Sequence, residues 1–89
     1  MSILSSTHSG KTLYQSKITF YNANHIVKAF GYKQVEDTKY RKIFQKVTNG
    51  KTYTIIVPEW GRPGIYTTDT TRQLAFDTME QAKNLEAQL

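Results

Sequence analysis

The 89-residue chain contains no cysteine, and this absence excludes several kinds of structure and chemistry. Disulfide bonds, thiolate zinc sites and cysteine nucleophiles are impossible, so the fold must be stabilised by packing of apolar side chains. The sequence also lacks an apolar run of about 20 residues, the length that a helix needs to cross a bilayer. No cofactor motif or metal-ligand spacing is found. We therefore expect a cytoplasmic protein without cofactor or metal.

The first eleven residues are mostly Ser, Thr, His and Gly, without the apolar segment of a secretion signal. We expect residues 1–11 to form a flexible leader and residues 12–89 to form a single small domain, because a chain of this length encloses only one hydrophobic core. Six tyrosines, four phenylalanines and one tryptophan supply much of the apolar surface for that core.

Acidic residues are scarce in the first two-thirds of the chain. Residues 1–60 contain nine Lys or Arg against three acids, whereas residues 61–89 contain three against four. The formal net charge is +5. A positive field attracts phosphate backbones, anionic lipid and acidic proteins alike, and many small proteins are basic for solubility alone.

Alternating apolar and polar positions predict a first strand over Thr12–Tyr21, with the apolar positions at Tyr14, Ile18 and Phe20. Asn22 or Asn24 can then cap a short helix that Gly31 ends. The helical spacing of three and four residues places one apolar face on this helix, made of Ile26, Ala29 and Phe30.

Asn49 and Gly50 predict a two-residue hairpin turn, because both tolerate a positive φ. This turn argues against the alternative of a helix over residues 37–50. The strands would cover Tyr40–Thr48 and Lys51–Val57, with Phe44 opposite Ile55. One face should be core, with Tyr40, Phe44, Tyr53, Ile55 and Val57. The apolar side chains of the other face need cover or a partner, because that face is mixed. It comprises Lys39, Arg41, Ile43, Gln45, Val47, Thr52, Thr54 and Ile56.

Prolines and glycines predict a loop over Pro58–Gly64. Another strand is expected within Ile65–Phe76, and whether Ile65–Thr67 is separate stays open. Asp77 and Glu80 have the spacing of a capping box, which predicts a final helix. The predicted fold is α+β: a three- or four-stranded, mainly antiparallel sheet, with a C-terminal helix packed on one face and a short N-terminal helix, in the order β-α-β-β-β-α.

The hairpin is the leading candidate for a functional site, because cations neutralise phosphates while exposed rings stack on bases. We expect it to bind DNA or RNA without catalysis through Lys39, Arg41, Lys42, Lys46, Lys51, Tyr40 and Tyr53. Charged side chains also protect sheet edges from aggregation, which is the structural alternative.

Trp60 and Arg62 lie in the predicted loop, where a large ring beside a cation is typical of an interface anchor. The alternative is that Trp60 closes one end of the core. If these residues form an interface, the second functional hypothesis is a regulator or inhibitor that docks on an acidic protein surface. An exposed sheet edge would also permit a homodimer, although nothing in the sequence indicates one.

Two resemblances bear on function. Leu74–Ala82, after a basic hairpin, resembles the strand-to-helix step of AP2-type and phage-integrase arm-binding domains, whose three-stranded sheets read DNA. Asn24–Tyr32, with the hairpin ending in Ile55–Pro58, resembles the small mRNA-cleaving toxins of the HicA type. The catalytic histidine of those toxins opens their first strand, where this chain has Asp37–Tyr40, so catalysis does not carry over. His8 and His25 lie in no catalytic spacing, and a small RNase is the third hypothesis.

Overall fold

A computed structural model describes residues 13–70 and 72–89. Within them, five strands form one antiparallel sheet in chain order: β1 (Lys33–Asp37), β2 (Arg41–Thr48), β3 (Lys51–Pro58), β4 (Gly64–Thr67) and β5 (Leu74–Ala75). Helix α1 (Ala23–Lys28) precedes the sheet and helix α2 (Met79–Gln88) follows it. The α+β class is confirmed. The strand number was underestimated, and the order of these elements is α-β-β-β-β-β-α.

The central hairpin forms as the turn chemistry predicts. Asn49 and Gly50 have φ angles of 53° and 77°, as a two-residue turn of this kind requires. Phe44 lies opposite Ile55 and Ile43 opposite Ile56. The register of the two longest strands is therefore confirmed.

The strand predicted over Thr12–Tyr21 is wrong for its described part. Residues 13–15 are helical, and the chain then turns until α1 begins. Thr19 and Asn22 exchange hydrogen bonds, in which the backbone N–H of Thr19 donates to Asn22 Oδ1 (2.8 Å) and that of Asn22 donates to Thr19 Oγ1 (3.2 Å). Such local side-chain bonds compete with a strand ladder, so the apolar alternation does not produce a strand here.

Strand β1 was not predicted, because only one of its five residues is apolar, and it also contains a β-bulge. Gln34 lies opposite Phe44 and Glu36 opposite Ile43, which leaves Val35 as an extra residue. A bulge interrupts the two-residue alternation by which a strand is recognised in a sequence.

The region Ile65–Phe76 contains two strands, β4 and β5. Ile65–Thr67, which the sequence left open, therefore belongs to a separate strand. The capping box lies one residue later than Asp77 and Glu80 predict. The hydroxyl of Thr78 accepts a hydrogen bond from the backbone N–H of Gln81 (3.3 Å), and Gln81 Oε1 accepts from that of Asp77 (2.6 Å). Thr78 and Gln81 thus each accept a hydrogen bond from a backbone N–H at the start of the helix, as the partners of a capping box do.

Both helices pack on one face of the sheet. The buried core joins Ile26 and Val27 of α1 and Met79 and Ala82 of α2 to the central strands, which contribute Phe44, Tyr53, Ile55, Val57 and Ile65. The expectation that Tyr40 joins this core is wrong, because Tyr40 precedes β2 in a turn and points into solvent. The other sheet face has no helix against it within the described residues.

Candidate binding interface

Two of the predicted phosphate-binding cations are ion-paired inside the β1–β2 hairpin. Arg41 Nε lies 2.7 Å from Glu36 Oε2, and Lys42 Nζ lies 2.7 Å from Asp37 Oδ1. Asp37 and Lys42 are register partners across the two strands. Because each cation already has an acid beside it, these two residues add little net positive potential for a phosphate.

Lys46 connects the sheet to α2. Its Nζ donates to both carboxylate oxygens of Glu86, at 3.0 and 2.9 Å, and lies 4.7 Å from the ring centre of Tyr32. The Tyr32 hydroxyl donates to the same carboxylate at 2.5 Å. The Lys46 and Glu86 side chains are only 17% and 12% exposed. Lys46 therefore stabilises the contact between β2 and α2 and is not a free cation.

Two other predicted site residues also face α2. The Tyr53 ring is buried, and its hydroxyl donates to the backbone oxygen of Glu86 at 3.2 Å. Lys51 Nζ donates to the backbone oxygen of Leu89. In this arrangement Tyr53 cannot stack on a base. The part of the β2–β3 hairpin near its turn therefore contacts α2.

The Tyr32 hydroxyl makes stability depend on pH. Burial, and next its hydrogen bond to Glu86, raise the pKa of Tyr32 above its ordinary value of 10.0. The folded protein therefore keeps a proton that the unfolded chain loses above about pH 10, so this contribution is complete below that pH and decreases above it. Urea unfolding at about pH 9 and about pH 11 should show a smaller loss of stability for Tyr32→Phe than for wild type. Equal losses would contradict this assignment.

At the opposite end of the hairpin, two connections of the sheet meet. The backbone N–H of Glu59 donates to the Tyr40 carbonyl at 2.8 Å, and Arg41 is the register partner of Pro58. The β1–β2 turn carries Tyr40, which is 65% exposed, and the β3–β4 loop carries Trp60, which is 85% exposed. The alternative that Trp60 closes the core is therefore wrong.

A third segment, the turn before α1, joins this end of the sheet. The Phe20 ring lies 4.6 Å from Lys42 Nζ and contacts the Tyr21 ring edge to face, with centroids 5.6 Å apart. Tyr21 is 84% exposed. We call this surface the aromatic end, defined by Phe20, Tyr21, Tyr40 and Trp60.

A groove of about 460 Å³ separates the Phe20–Tyr21 turn from the β3–β4 loop. Arg62 lines it and is held by Asp77 through two hydrogen bonds of 3.1 Å, from Nε and Nη2. Lys17 and Pro63 also line the groove. The groove therefore lies next to the exposed rings of the aromatic end.

Charge at the aromatic end is nearly balanced. Lys39 Nζ lies 5.2 Å from the Tyr40 ring centre, and no ion pair is found for Lys39 among the described residues. The cations are Lys17, Lys39, Arg41, Lys42 and Arg62, and the acids are Glu36, Asp37, Glu59 and Asp77. Five positive charges thus face four negative ones, which differs from the basic hairpin that the sequence predicts.

The structure brings together Lys39, Tyr40, Arg41 and Lys42 with Trp60 and Arg62, and it separates them from Lys46, Lys51 and Tyr53. Sequence reasoning missed Phe20 and Tyr21 as site residues. Their adjacency was an available signal, because neighbouring residues of a strand point to opposite faces, so one ring would have to leave the core even in the predicted strand.

Comparisons with known proteins add no assignment: no protein-family model, curated protein or solved structure matches the chain. Neither resemblance noted in the sequence therefore gains support. Residues 13–70 and 72–89 hold no cluster of three His, Asp or Glu side chains that could bind a metal. No helix in that part of the chain is long and apolar enough to cross a membrane.

Proposed function

We propose that the protein is a non-catalytic binding module that docks on another protein through the aromatic end. The observation that carries this proposal is that three large, solvent-exposed rings, Tyr21, Tyr40 and Trp60, lie in connecting segments at one end of the sheet. Exposed rings have little effect on the stability of the isolated fold, whereas Trp and Tyr dominate the energetics of protein interfaces. An aromatic centre with a polar rim is the usual composition of such a surface.

The distribution of charge favours a protein over a nucleic acid. A phosphate backbone is bound by cations that are free to replace its counterions. Acids of this chain are already paired with Arg41, Lys42 and Arg62, so these cations bind a phosphate less strongly than free cations would. The formal charge of +5 still attracts an acidic partner at long range and raises the rate of encounter.

The test compares variants that change one exposed side chain each. Trp60→Ser removes the most exposed ring, and Val35→Ser is the matched control, since Val35 is half exposed on the sheet-edge strand β1. In quantitative affinity enrichment from cells that express the protein, we expect at least one partner to be retained by Val35→Ser and lost with Trp60→Ser. That partner, once purified, should bind Trp60→Ser at least about 30-fold more weakly, the effect of a strong anchor.

Equal enrichment by wild type and Trp60→Ser would contradict docking through the aromatic end. Circular dichroism and thermal unfolding serve as the folding control. Because Trp60 lies outside the core, neither substitution should change the melting temperature by more than a few degrees.

Single-stranded nucleic acid is a second candidate partner for the same surface. The observation in its favour is the cation of Lys39 beside the exposed Tyr40 ring, since stacking rings next to free cations bind single strands. Labelled DNA and RNA, single- and double-stranded, would be titrated at about 50 to 200 mM salt, where phosphate contacts weaken steeply. Lys39→Ala should then reduce binding, and Lys46→Ala should not, because Lys46 is held by Glu86. Absence of binding at the lowest salt would remove this candidate.

A further inference from the structure

The face of the sheet opposite the helices has no second layer in the described part of the chain. Residues that pair across strands share a face, so the register places Ile43 beside Ile56, and Gln45 and Tyr66 on either side of Thr54. We call this the open face; it comprises Lys33, Glu36, Arg41, Ile43, Gln45, Val47, Thr52, Thr54, Ile56, Pro58, Gly64, Tyr66 and Ala75.

Apolar side chains occupy the middle of the open face. Ile43, Ile56 and Tyr66 are partly buried, Thr54 between them is buried, and Val47 is 72% exposed. Gln45 Nε2 donates to Thr54 Oγ1 at 3.3 Å, so these two polar side chains are partly satisfied within the sheet. A sheet with one apolar face covered and a second left partly apolar gains stability when another layer packs on it.

The charge of this face disfavours a strongly charged layer. Glu36 and Arg41 neutralise each other at 2.7 Å, and Lys33 is the only other charged residue of the open face. A nearly neutral, partly apolar surface has no attraction for an acidic partner, although the chain as a whole carries +5. Two copies, by contrast, can bring such surfaces together without placing like charges in contact.

We propose that the open face packs on the same face of a second copy, forming a two-fold symmetric dimer with the two sheets face to face. In such an interface each copy contributes the same patch, and two sheets pack about 10 Å apart through interdigitated side chains. Val47 and Ile56 supply apolar contact in each copy. The rings that define the aromatic end, Phe20, Tyr21, Tyr40 and Trp60, are not part of the open face.

The net charge gives this dimer a distinctive salt dependence. Two chains of charge +5 repel each other at long range, and added salt screens that repulsion. Dimerisation should therefore strengthen as salt is raised. Binding of a basic protein to nucleic acid or to an acidic protein weakens under the same change.

Sedimentation equilibrium of the full chain, at about 5 to 500 µM protein and in about 50 to 500 mM NaCl, tests the proposal. We expect the mass to rise with concentration from 10.3 kDa to twice that value, more readily at high salt. Val47→Glu places two like charges in the interface and should raise the dissociation constant at least about 30-fold. Because Val47 is exposed, this substitution should leave the circular dichroism spectrum of the fold unchanged.

Tyr21→Ser is the matched control, because it removes a side chain at the aromatic end that is even more exposed than Val47; it should dimerise like wild type. A monomer under all conditions would overturn the proposal. So would a dimer that is unaffected by Val47→Glu, or one that Tyr21→Ser abolishes, since the second result would place the contact at the aromatic end. A Trp60→Ser chain that loses its protein partner but still dimerises would separate the two surfaces.

Discussion

Replacing Phe44 with Ala should lower the free energy of unfolding by about 4 kcal/mol, a large part of the stability of a domain of this size. Phe44 is fully buried in the middle of β2, with Gln34 of β1 and Ile55 of β3 as its cross-strand partners. The smaller side chain loses apolar contacts and leaves a cavity between the sheet and the helices that neighbouring strands cannot fill. Urea unfolding followed by circular dichroism measures the change.

Val47→Ala is the control for Phe44→Ala, because it removes apolar atoms from the same strand at an exposed position. At protein concentrations low enough to keep the chain monomeric, its effect should stay within about 0.5 kcal/mol. Similar losses for the two variants would show that β2 does not bury Phe44 against the helices.

Glu86→Leu should lower the free energy of unfolding by about 3 kcal/mol, because it leaves a partly buried lysine without its acid. Glu86 accepts hydrogen bonds from both Lys46 and Tyr32, and its side chain is almost enclosed. The ammonium group of Lys46 would remain near the Tyr32 ring with little access to water. Glu80→Leu, at an exposed position of the same helix, should cost less than about 1 kcal/mol.

The pair can be tested further by removing both charges. Lys46→Met combined with Glu86→Leu should recover much of the stability lost in Glu86→Leu alone, since two apolar side chains can replace a buried ion pair at little cost. If the losses of the two single variants simply add, Lys46 and Glu86 do not interact in the folded protein.

The part of the fold that could be predicted from the sequence is the part specified by local chemistry. Asn49 and Gly50 define a turn by their tolerance of positive φ, and a two-residue turn then determines the register of β2 against β3. The start of α2 was predicted within one residue. The observed cap, Thr78, follows directly on the predicted cap, Asp77.

Other parts depend on contacts between distant residues and left no local pattern. Strand β1 contains five residues of which only Val35 is apolar, and its place in the sheet follows from pairing with β2. The N-terminal segment alternates like a strand, yet the N–H of Ile18 donates to the carbonyl of Asp77 at 2.7 Å, outside any ladder. Alternation within the segment does not reveal this long-range bond.

The charge pattern of the site was misread for the same reason. Lysines and arginines were counted as free cations, because the acids that neutralise them are brought near only by folding. Had β1 been recognised, the pairing of Asp37 with Lys42 would have followed from the hairpin register. The pairing of Lys46 with Glu86 could not have been foreseen, since it depends on how α2 lies across the sheet.

The order of the strands has a consequence for how quickly the chain folds. Every strand pairs with its neighbour along the chain, so the sheet has a low contact order for a β-rich structure and can grow by adding one hairpin at a time. The bond between Tyr32 and Glu86 joins residues 54 positions apart, and it forms only after α2 reaches the sheet. We therefore expect rapid refolding in which docking of α2 comes last, and native-state hydrogen exchange in which α2 opens before the β2–β3 hairpin does.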